Sequence, residues 1–562
     1  MTLPGASQGA PAGSQEVRAL AQRARRAAAV LAEYSQAQID RIVDAVAEAA
    51  RARVEPFARM AVEETGFGVT ADKIQKNRFA AETVHAFIRP MKTVGVVARD
   101  EARKVIEIAE PFGVVAAIVP STNPTSTAIY KVLICLKARC PVILSPHPSA
   151  ARSITHVAET LNAAALAAGA PDGAINWMTE VTLEATQALM KDRDVAVILA
   201  TGGMGLVRAA YSAGKPAYGV GPGNAPCFIE RTADVAKAAS DILTGKNFDH
   251  GVLCSSPNSV VVERAVADEA KRQFQRQGGH FLSAAEADKL AQVLVTPQRL
   301  PNAKLVGRSA QVIAAAAGLT IPDGTRVLIA ELSGVGRDFP LSIEKLCPVL
   351  SWYVVNDWQE GCERCKQILR YGGMGHTMSI HSHNEPVILE FGLKKPAFRI
   401  VVNSPTTHGS IGLSTGLDPA MTLGCGGYGG NITSDNITPR HLLNIKRVAY
   451  ELRPVTASSA SSPAPSTSSP LPKVARAEAE RGVSATSLSA QVAAMTGVGG
   501  QSHAPVTSPQ AVAAFVCEDD VRQAAAQGRT ILIGERSIVT PLAREVGQAL
   551  KILVEAGWPG GR

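Results

Sequence analysis

Residues 113–150, GVVAAIVPSTNPTSTAIYKVLICLKARCPVILSPHPSA, decide the fold. GVVAAIVP is a short continuous apolar run rich in valine, the pattern of a strand covered on both faces. It ends at Pro120, and a polar turn displays Thr122 and Asn123 before a helix starts. CPVILS repeats the pattern and ends at LSPHPSA, where Ser145 and His147 occupy a second strand end. Working outward, VAVILAT (195–201) and NAPCFIE (224–230) read as further buried strands. ARSITHVAETLNAAALAAG (151–169) and MGLVRAAYSAG (204–214) read as helices. This alternation, sustained from Val105 to Arg453, predicts an α/β fold with a mostly parallel sheet. Alanine-rich helical periodicity fills residues 16–60 ahead of it.

Open α/β sheets present ligands at strand ends, and three such ends here are polar or glycine-rich. The third, LATGGMGLV (199–207), places Thr201, Gly202 and Gly203 where backbone N–H groups can approach a phosphate, with Leu206 one turn on. Glycines also serve plain turn geometry, so one such turn is weak evidence and three in succession are better. In FDHGVLCSSPNSVVV (248–262), Cys254 stands among small residues just before a β-rich run. A cysteine nucleophile needs access and a lowered pKa; a lone cysteine is ordinarily a small buried hydrophobe. From residues alone the reading is a nucleotide-binding α/β protein with a candidate thiol.

The 562 residues allow two or three domains. No apolar run approaches a bilayer span, and the first residues, MTLPGASQGAPAGSQ, lack a signal-peptide pattern. The nine cysteines, at 135, 140, 227, 254, 347, 362, 365, 425 and 517, are odd in number and scattered. That spacing fits a reducing, cytoplasmic setting rather than a disulfide framework. CERC (362–365) has no further ligand pair nearby for zinc, so it reads as one helical turn carrying two thiols, and no metal site is expected. A net charge of +8 with dispersed Lys and Arg makes nucleic acid a poor partner. At Pro454 the composition turns to Ser, Pro and Ala, the mark of a flexible linker over 454–473. An amphipathic helix is expected within 473–500, then a module over 518–557 reading helix–strand–turn–strand–helix.

IVPSTNPTSTAIYKVLICLKARCPVILSPHP (118–148) resembles the cofactor-binding stretch of CoA-acylating aldehyde dehydrogenases. That group includes the propanediol- and ethanolamine-utilisation enzymes and the N-terminal half of aldehyde–alcohol dehydrogenases. LATGGMGLVRAAYSAGKPAYGVGPGNAP, FDHGVLCSSPNSVVV, EKLCPVLSWY, GGMGHT and TLGCGGYGGNITSDNITPRHLLNIKRVA are similar to the same family in the same order, over about residues 16–453. The resemblance implies a Rossmann-like NAD-binding domain (16–225), an α/β catalytic domain (226–420) and a return to the cofactor domain (421–453), behind a disordered 1–15. It also implies a β-hairpin extension near 95–110, with strands near Arg103–Ile108 and Lys446–Leu452, that builds a homodimer or homotetramer.

The same resemblance implies that Cys254 attacks a short-chain aldehyde while the Asn123 amide and the Cys254 N–H stabilise the oxyanion. NAD accepts hydride and coenzyme A takes the acyl group. Glu344 is similar to the glutamate on the nicotinamide ribose. Gly202, Gly203 and Leu206 would lie at the pyrophosphate, Ser145 and His147 toward the adenosine, and Pro120, Thr122 and Thr201 beside the cofactor. Hydrolytic relatives carry a water-activating glutamate where Val220 stands here, which favours thiolysis. The competing readings are a hydrolytic dehydrogenase releasing free acid and a catalytically silent scaffold. His376 matches a family histidine or orders a loop, His250 is a conceivable base, and Cys227 and Cys425 read as packing thiols. The terminal module is similar to segments attached to bacterial microcompartment enzymes, which suggests docking to shell or cargo proteins.

Overall fold

The computed structural model describes residues 12–453 and 513–555. Residues 1–11, the Ser/Pro segment 454–473 and the helix expected within 473–500 lie outside the described residues. The chain divides into one unit ending at Ala457 and another beginning at Ser458. The first helix, Ala12–Ala32, starts ahead of the boundary at residue 16, so Ala12–Gln15 are helical rather than part of a loose terminus.

In the first unit a five-stranded sheet runs in the order Ile175–Trp177, Val142–Pro146, Val114–Val119, Val195–Thr201, Ala217–Val220. All its pairings are parallel. Every residue of Val114–Val119 is buried, which explains the unbroken apolar run in the sequence. Burying each such valine or isoleucine contributes roughly 1.5–3 kcal/mol. Chain order reverses beside this central strand, which is where open sheets bind ligands. The buried ammonium of Lys131 spans the reversal, donating to Ile118 O at 2.7 Å and Leu199 O at 2.9 Å. Burial pushes its pKa down to about 7.

A seven-stranded, wholly parallel sheet follows, ordered Gly279–Phe281, Val327–Glu331, Val349–Val355, Pro257–Glu263, Ala225–Ile229, Gly375–His381, Ala397–Val402. Its strand Pro257–Glu263 begins three residues after Cys254. Two parallel sheets with helices between strands are the α/β architecture expected from the alternating pattern. The CERC thiols sit buried on the helix Trp358–Arg370, with Lys395 Nζ donating to Cys362 Sγ at 2.6 Å.

A third, antiparallel sheet joins Gly95–Asp100, Val105–Pro111 and Leu443–Ala449. Arg103 lies in the turn rather than in a strand: its N–H donates to Asp100 Oδ1 at 2.8 Å and Lys104 takes a positive φ of 48°. The last strand starts three residues earlier than the resemblance implied, because Leu443 pairs opposite Pro111.

The second unit differs from its expected order. It runs strand Ala513–Val516, helix Glu518–Ala526, strand Ile531–Val539, helix Pro541–Ala549, strand Leu553–Glu555, all strands parallel. The turn expected between two strands of the module is absent: Ile531–Val539 is one strand, in which Ser537 Oγ accepts the Gly534 N–H at 2.8 Å and donates to Ala513 O at 2.5 Å. These bonds carry the strand through a register irregularity.

Candidate active site

A cavity of about 470 Å³ opens at the C-terminal ends of the five-stranded sheet and reaches the loop that carries Cys254. That size suits a small-molecule site. The sheet contributes Pro120, Thr122 and Asn123 from its central strand end, Ser145 and His147 from the next, and Thr201, Gly202, Gly203 and Leu206 from the third. Cys254 and Glu344 close the other side. All eleven residues that the sequence analysis assigned to catalysis or cofactor binding therefore line one cavity, although they come from five separate stretches.

The strand ends are shaped for a bound group. Thr201 Oγ1 is buried with no hydrogen-bond partner among the described residues. Gly203 caps the helix Met204–Tyr211 with no side-chain acceptor, so N–H groups of the first turn are open. A Cβ on Gly202 would meet Leu206 Cδ2 at 2.6 Å, whereas one on Gly203 would meet nothing within 4 Å. Ser145 shares a hydrogen bond with Thr186 at 2.9 Å. His147 Nδ1 accepts the Ser149 N–H at 3.1 Å, which leaves Nε2 as the N–H of a neutral ring. The α-helix Leu183–Lys191 supplies Leu183 and Thr186, and its cap Thr182 also lines the cavity. Sequence reasoning missed this wall; its one signal is Thr182, a capping threonine whose side chain accepts the Ala185 N–H at 3.0 Å.

At the chemical end, Gly223 N–H donates to Glu344 Oε1 at 2.8 Å. Burial raises the Glu344 carboxyl to about 8, against the pull of that N–H. Gly223 has no room for a side chain: a Cβ would lie 2.2 Å from the Cys254 carbonyl oxygen. Burial, joined by Glu344 and Cys425, pushes the Cys254 thiol up to about 12, with Arg399 acting in the opposite sense. The lowered thiol pKa expected of a nucleophile is therefore not met in the free chain, because a carboxylate and an apolar wall enclose the sulfur. Val220 lines the cavity as a buried apolar side chain, and Glu344 is the only carboxylate among the lining residues.

Asn123 is held from outside the cavity. It caps the helix Pro124–Lys137, yet its side chain makes no capping bond, forgoing about 1 kcal/mol. Its Oδ1 instead accepts from the buried Lys76 Nζ at 2.6 Å. Lys76 belongs to the helix Thr70–Arg78 and pairs with Asp249, which Lys73 also contacts at 2.9 Å. Burial lowers Lys76 to about 8, partly offset by Asp249. Burial opposes the charge on Asp249, but Lys76 and Lys73 hold its carboxyl below the usual range. Sequence reasoning missed these residues too, since charges far apart in the chain show no local pattern.

The remaining candidates fall outside the cavity lining. His376 is fully buried, with Nδ1 2.9 Å from Thr377 Oγ1 and Nε2 without a partner among the described residues. Burial and then Arg399 lower it to about 3, which keeps the ring neutral. His250 Nδ1 lies 3.1 Å from Gly307 O. Cys227 and Cys425 are buried thiols, 3.3 Å from Thr406 Oγ1 and 3.6 Å from Leu423 O respectively.

Comparison with known proteins agrees over this same body. The aldehyde dehydrogenase family model matches residues 7–289. The bifunctional aldehyde-alcohol dehydrogenase of Escherichia coli is 42% identical over 439 residues, covering 77% of this chain and 49% of its own length. The chain thus spans about half of that relative. The crystal structure of an acetylating aldehyde dehydrogenase from Geobacillus thermoglucosidasius is 48% identical, with TM-score 0.78, covering 79% of this chain and 98% of that one. A propionaldehyde dehydrogenase from the fucose-utilisation bacterial microcompartment of Clostridium phytofermentans is 28% identical with TM-score 0.70, covering 77% and 97%. Sequence, fold and cavity converge: the chain belongs to the aldehyde dehydrogenase family.

Proposed function

We propose that this protein is a CoA-acylating aldehyde dehydrogenase that converts a short-chain aldehyde, NAD⁺ and coenzyme A into acyl-CoA and NADH. The observation that carries the reading is Val220, a buried apolar side chain lining the cavity where a hydrolytic enzyme needs a water-activating carboxylate. The one carboxylate among the lining residues, Glu344, is committed to the Gly223 N–H.

The residues present fit nicotinamide dinucleotide. The open first turn at Gly203 suits the pyrophosphate, the unpartnered Thr201 hydroxyl and the Ser145–His147 strand end suit the adenosine half, and Glu344 suits the nicotinamide ribose. Pro120 and Thr122 form the wall beside it. When bound, the dinucleotide supplies a hydride acceptor. The chain's own part begins with Cys254: its thiolate adds to the aldehyde carbon, forming a C–S bond and placing negative charge on the former carbonyl oxygen. The Asn123 amide and the Cys254 N–H donate to that oxygen, a preorganised pair of the kind whose members are each worth about 2.7–4 kcal/mol. After oxidation the acyl group remains as a thioester on Cys254. With no general base at Val220, water is a poor acceptor, and the thiol of coenzyme A takes the acyl group.

NADH absorbance tests this on purified protein with propionaldehyde or acetaldehyde and NAD⁺, with and without coenzyme A. Steady turnover only with coenzyme A, lost in Cys254→Ala, is the expected result; equal turnover without it overturns the acylating reading.

The antiparallel sheet supports homo-oligomer formation, since Val448, Tyr450 and Leu452 are exposed on and just past its last strand. Light scattering on purified protein should return a dimer or tetramer mass. The terminal unit has a small core of its own around Val521, Ala524 and Ile533. We read it with its tether as a microcompartment-docking appendage. Failure of residues 454–562 to carry a fluorescent protein into purified compartments would sink that reading.

A further inference from the structure

We infer that Lys76 is a positioning residue for the oxyanion donor, fixing which end of the Asn123 amide faces the substrate, and that Asp249 fixes Lys76. This rests on the reading of Asn123 as that donor.

The first support is the chemistry of the contact. An ammonium carries donors and no lone pair, so the atom 2.6 Å from Lys76 Nζ has to be the amide oxygen. The amide NH₂ is then the other end, 3.2 Å from Thr122 Oγ1 in the wall shared with Cys254. Without Lys76, the two ends of the amide would compete for that wall, and the oxygen would repel the developing oxyanion.

Secondly, Asn123 is placed to be recruited. An asparagine at a helix cap ordinarily accepts a backbone N–H of the first turn. Here the first helical residue is Pro124 and the side chain makes no cap bond.

Thirdly, the ammonium is fixed by the loop that carries the nucleophile. Asp249, five residues before Cys254, is fully buried and accepts from both Lys76 and Lys73. Lys73 Nζ also donates to Thr122 O at 3.2 Å, so the two lysines grip the backbone and the side chain of one turn. Asp249 is tied in turn to the segment opening the lysine helix. Its Oδ1 accepts the Val69 N–H at 2.7 Å, and its own N–H donates to Asp72 Oδ2 at 2.7 Å. One carboxylate thus links the nucleophile's loop to the amide that must act with it.

The test is a double-mutant cycle on the full chain, with propionaldehyde, NAD⁺ and coenzyme A and NADH absorbance as the readout. Asn123→Ala should lower kcat by about 10²–10³-fold. Lys76→Met should lower kcat by about tenfold or more with KM for propionaldehyde and the iodoacetamide reactivity of Cys254 unchanged. In the Asn123→Ala background Lys76→Met should cost nothing further, because it acts only through the amide. The same factor in both backgrounds would show a general structural role and overturn the inference, as would wild-type kcat in Lys76→Met. Wild-type kcat in Asn123→Ala would instead remove the oxyanion reading itself, and this inference with it. Lys73 remains to neutralise Asp249 in Lys76→Met; should that variant not fold, Lys76→Gln carries the cycle. Its amide N–H can still donate to Asn123 Oδ1, so its single-mutant loss should be smaller and should likewise vanish without Asn123.

Discussion

Cys254 poses the sharpest question at the scale of a single residue, because its surroundings suppress the thiolate that its proposed chemistry needs. Burial comes first, and Glu344 adds to it whenever its own carboxyl is ionised. That carboxyl titrates at about 8, so the two groups leave a signature in the free enzyme. The rate of iodoacetamide alkylation should climb about tenfold per pH unit from neutrality upward with no plateau near 7, since reaction follows the thiolate fraction. Glu344→Gln should match the parent below pH about 8, where the glutamate is protonated and neutral. Above it the variant should react faster, because the anion that holds the thiol protonated is gone. Profiles that coincide across the whole range would show that burial alone governs the thiol. The strand-end residues and the candidate thiol were legible because strand ends and small residues mark them locally, whereas Glu344 was reached only through the family resemblance of EKLCP. Their electrostatics were not: the closeness of Glu344 to Cys254 is set by folding, so the expected low thiol pKa was reversed.

At the scale of elements, the helix Thr70–Arg78 carries Asp72, Lys73 and Lys76 at spacings of three and four that keep them on one face. It runs directly into a π-helical turn at Phe79–Val84, a distortion found often beside functional sites. Its approach to Asp249 depends on Gly68, where φ is +76° and a Cβ would sit 1.8 Å from Asp249 Oδ1. Gly68→Ala should therefore incur the left-handed strain of about 1–3 kcal/mol and also displace the carboxylate. Gly95→Ala is the matched control, with φ +66° and nothing within 4 Å of the added atom. Thermal melting should place Gly68→Ala several degrees below Gly95→Ala; equal melting temperatures would mean that the carboxylate moves aside at little cost. Buried strands such as Val114–Val119 were readable because burial on both faces demands an unbroken apolar run. The π turn, and the single strand Ile531–Val539 in place of a strand–turn–strand, were not. Each depends on hydrogen bonds whose partners no periodicity reveals.

For the molecule as a whole, the division at Ala457 separates the cavity-bearing body from the terminal unit. The residues lining the cavity run from Ile118 to Leu346, all well ahead of that division. A chain ending at Ala457 should keep the kcat and KM of the full protein, measured as coenzyme A-dependent NADH formation. A loss beyond about twofold would assign the terminal unit a part in catalysis, a change of only about 1.4 kcal/mol being already a tenfold effect. The first unit is itself assembled from distant parts, for Lys76 and Asp249 stand 173 residues apart in sequence and Lys73 and Asp249 176. On the ribosome, a nascent chain holding the five strands of the first sheet has the asparagine but nothing to anchor the lysine that would orient it. The thiol arrives later still, in the same loop as its anchor. A chain made only as far as that sheet therefore has an unoriented amide and no thiol, and the proposed aldehyde chemistry waits until the loop carrying both anchor and nucleophile has been made and has docked.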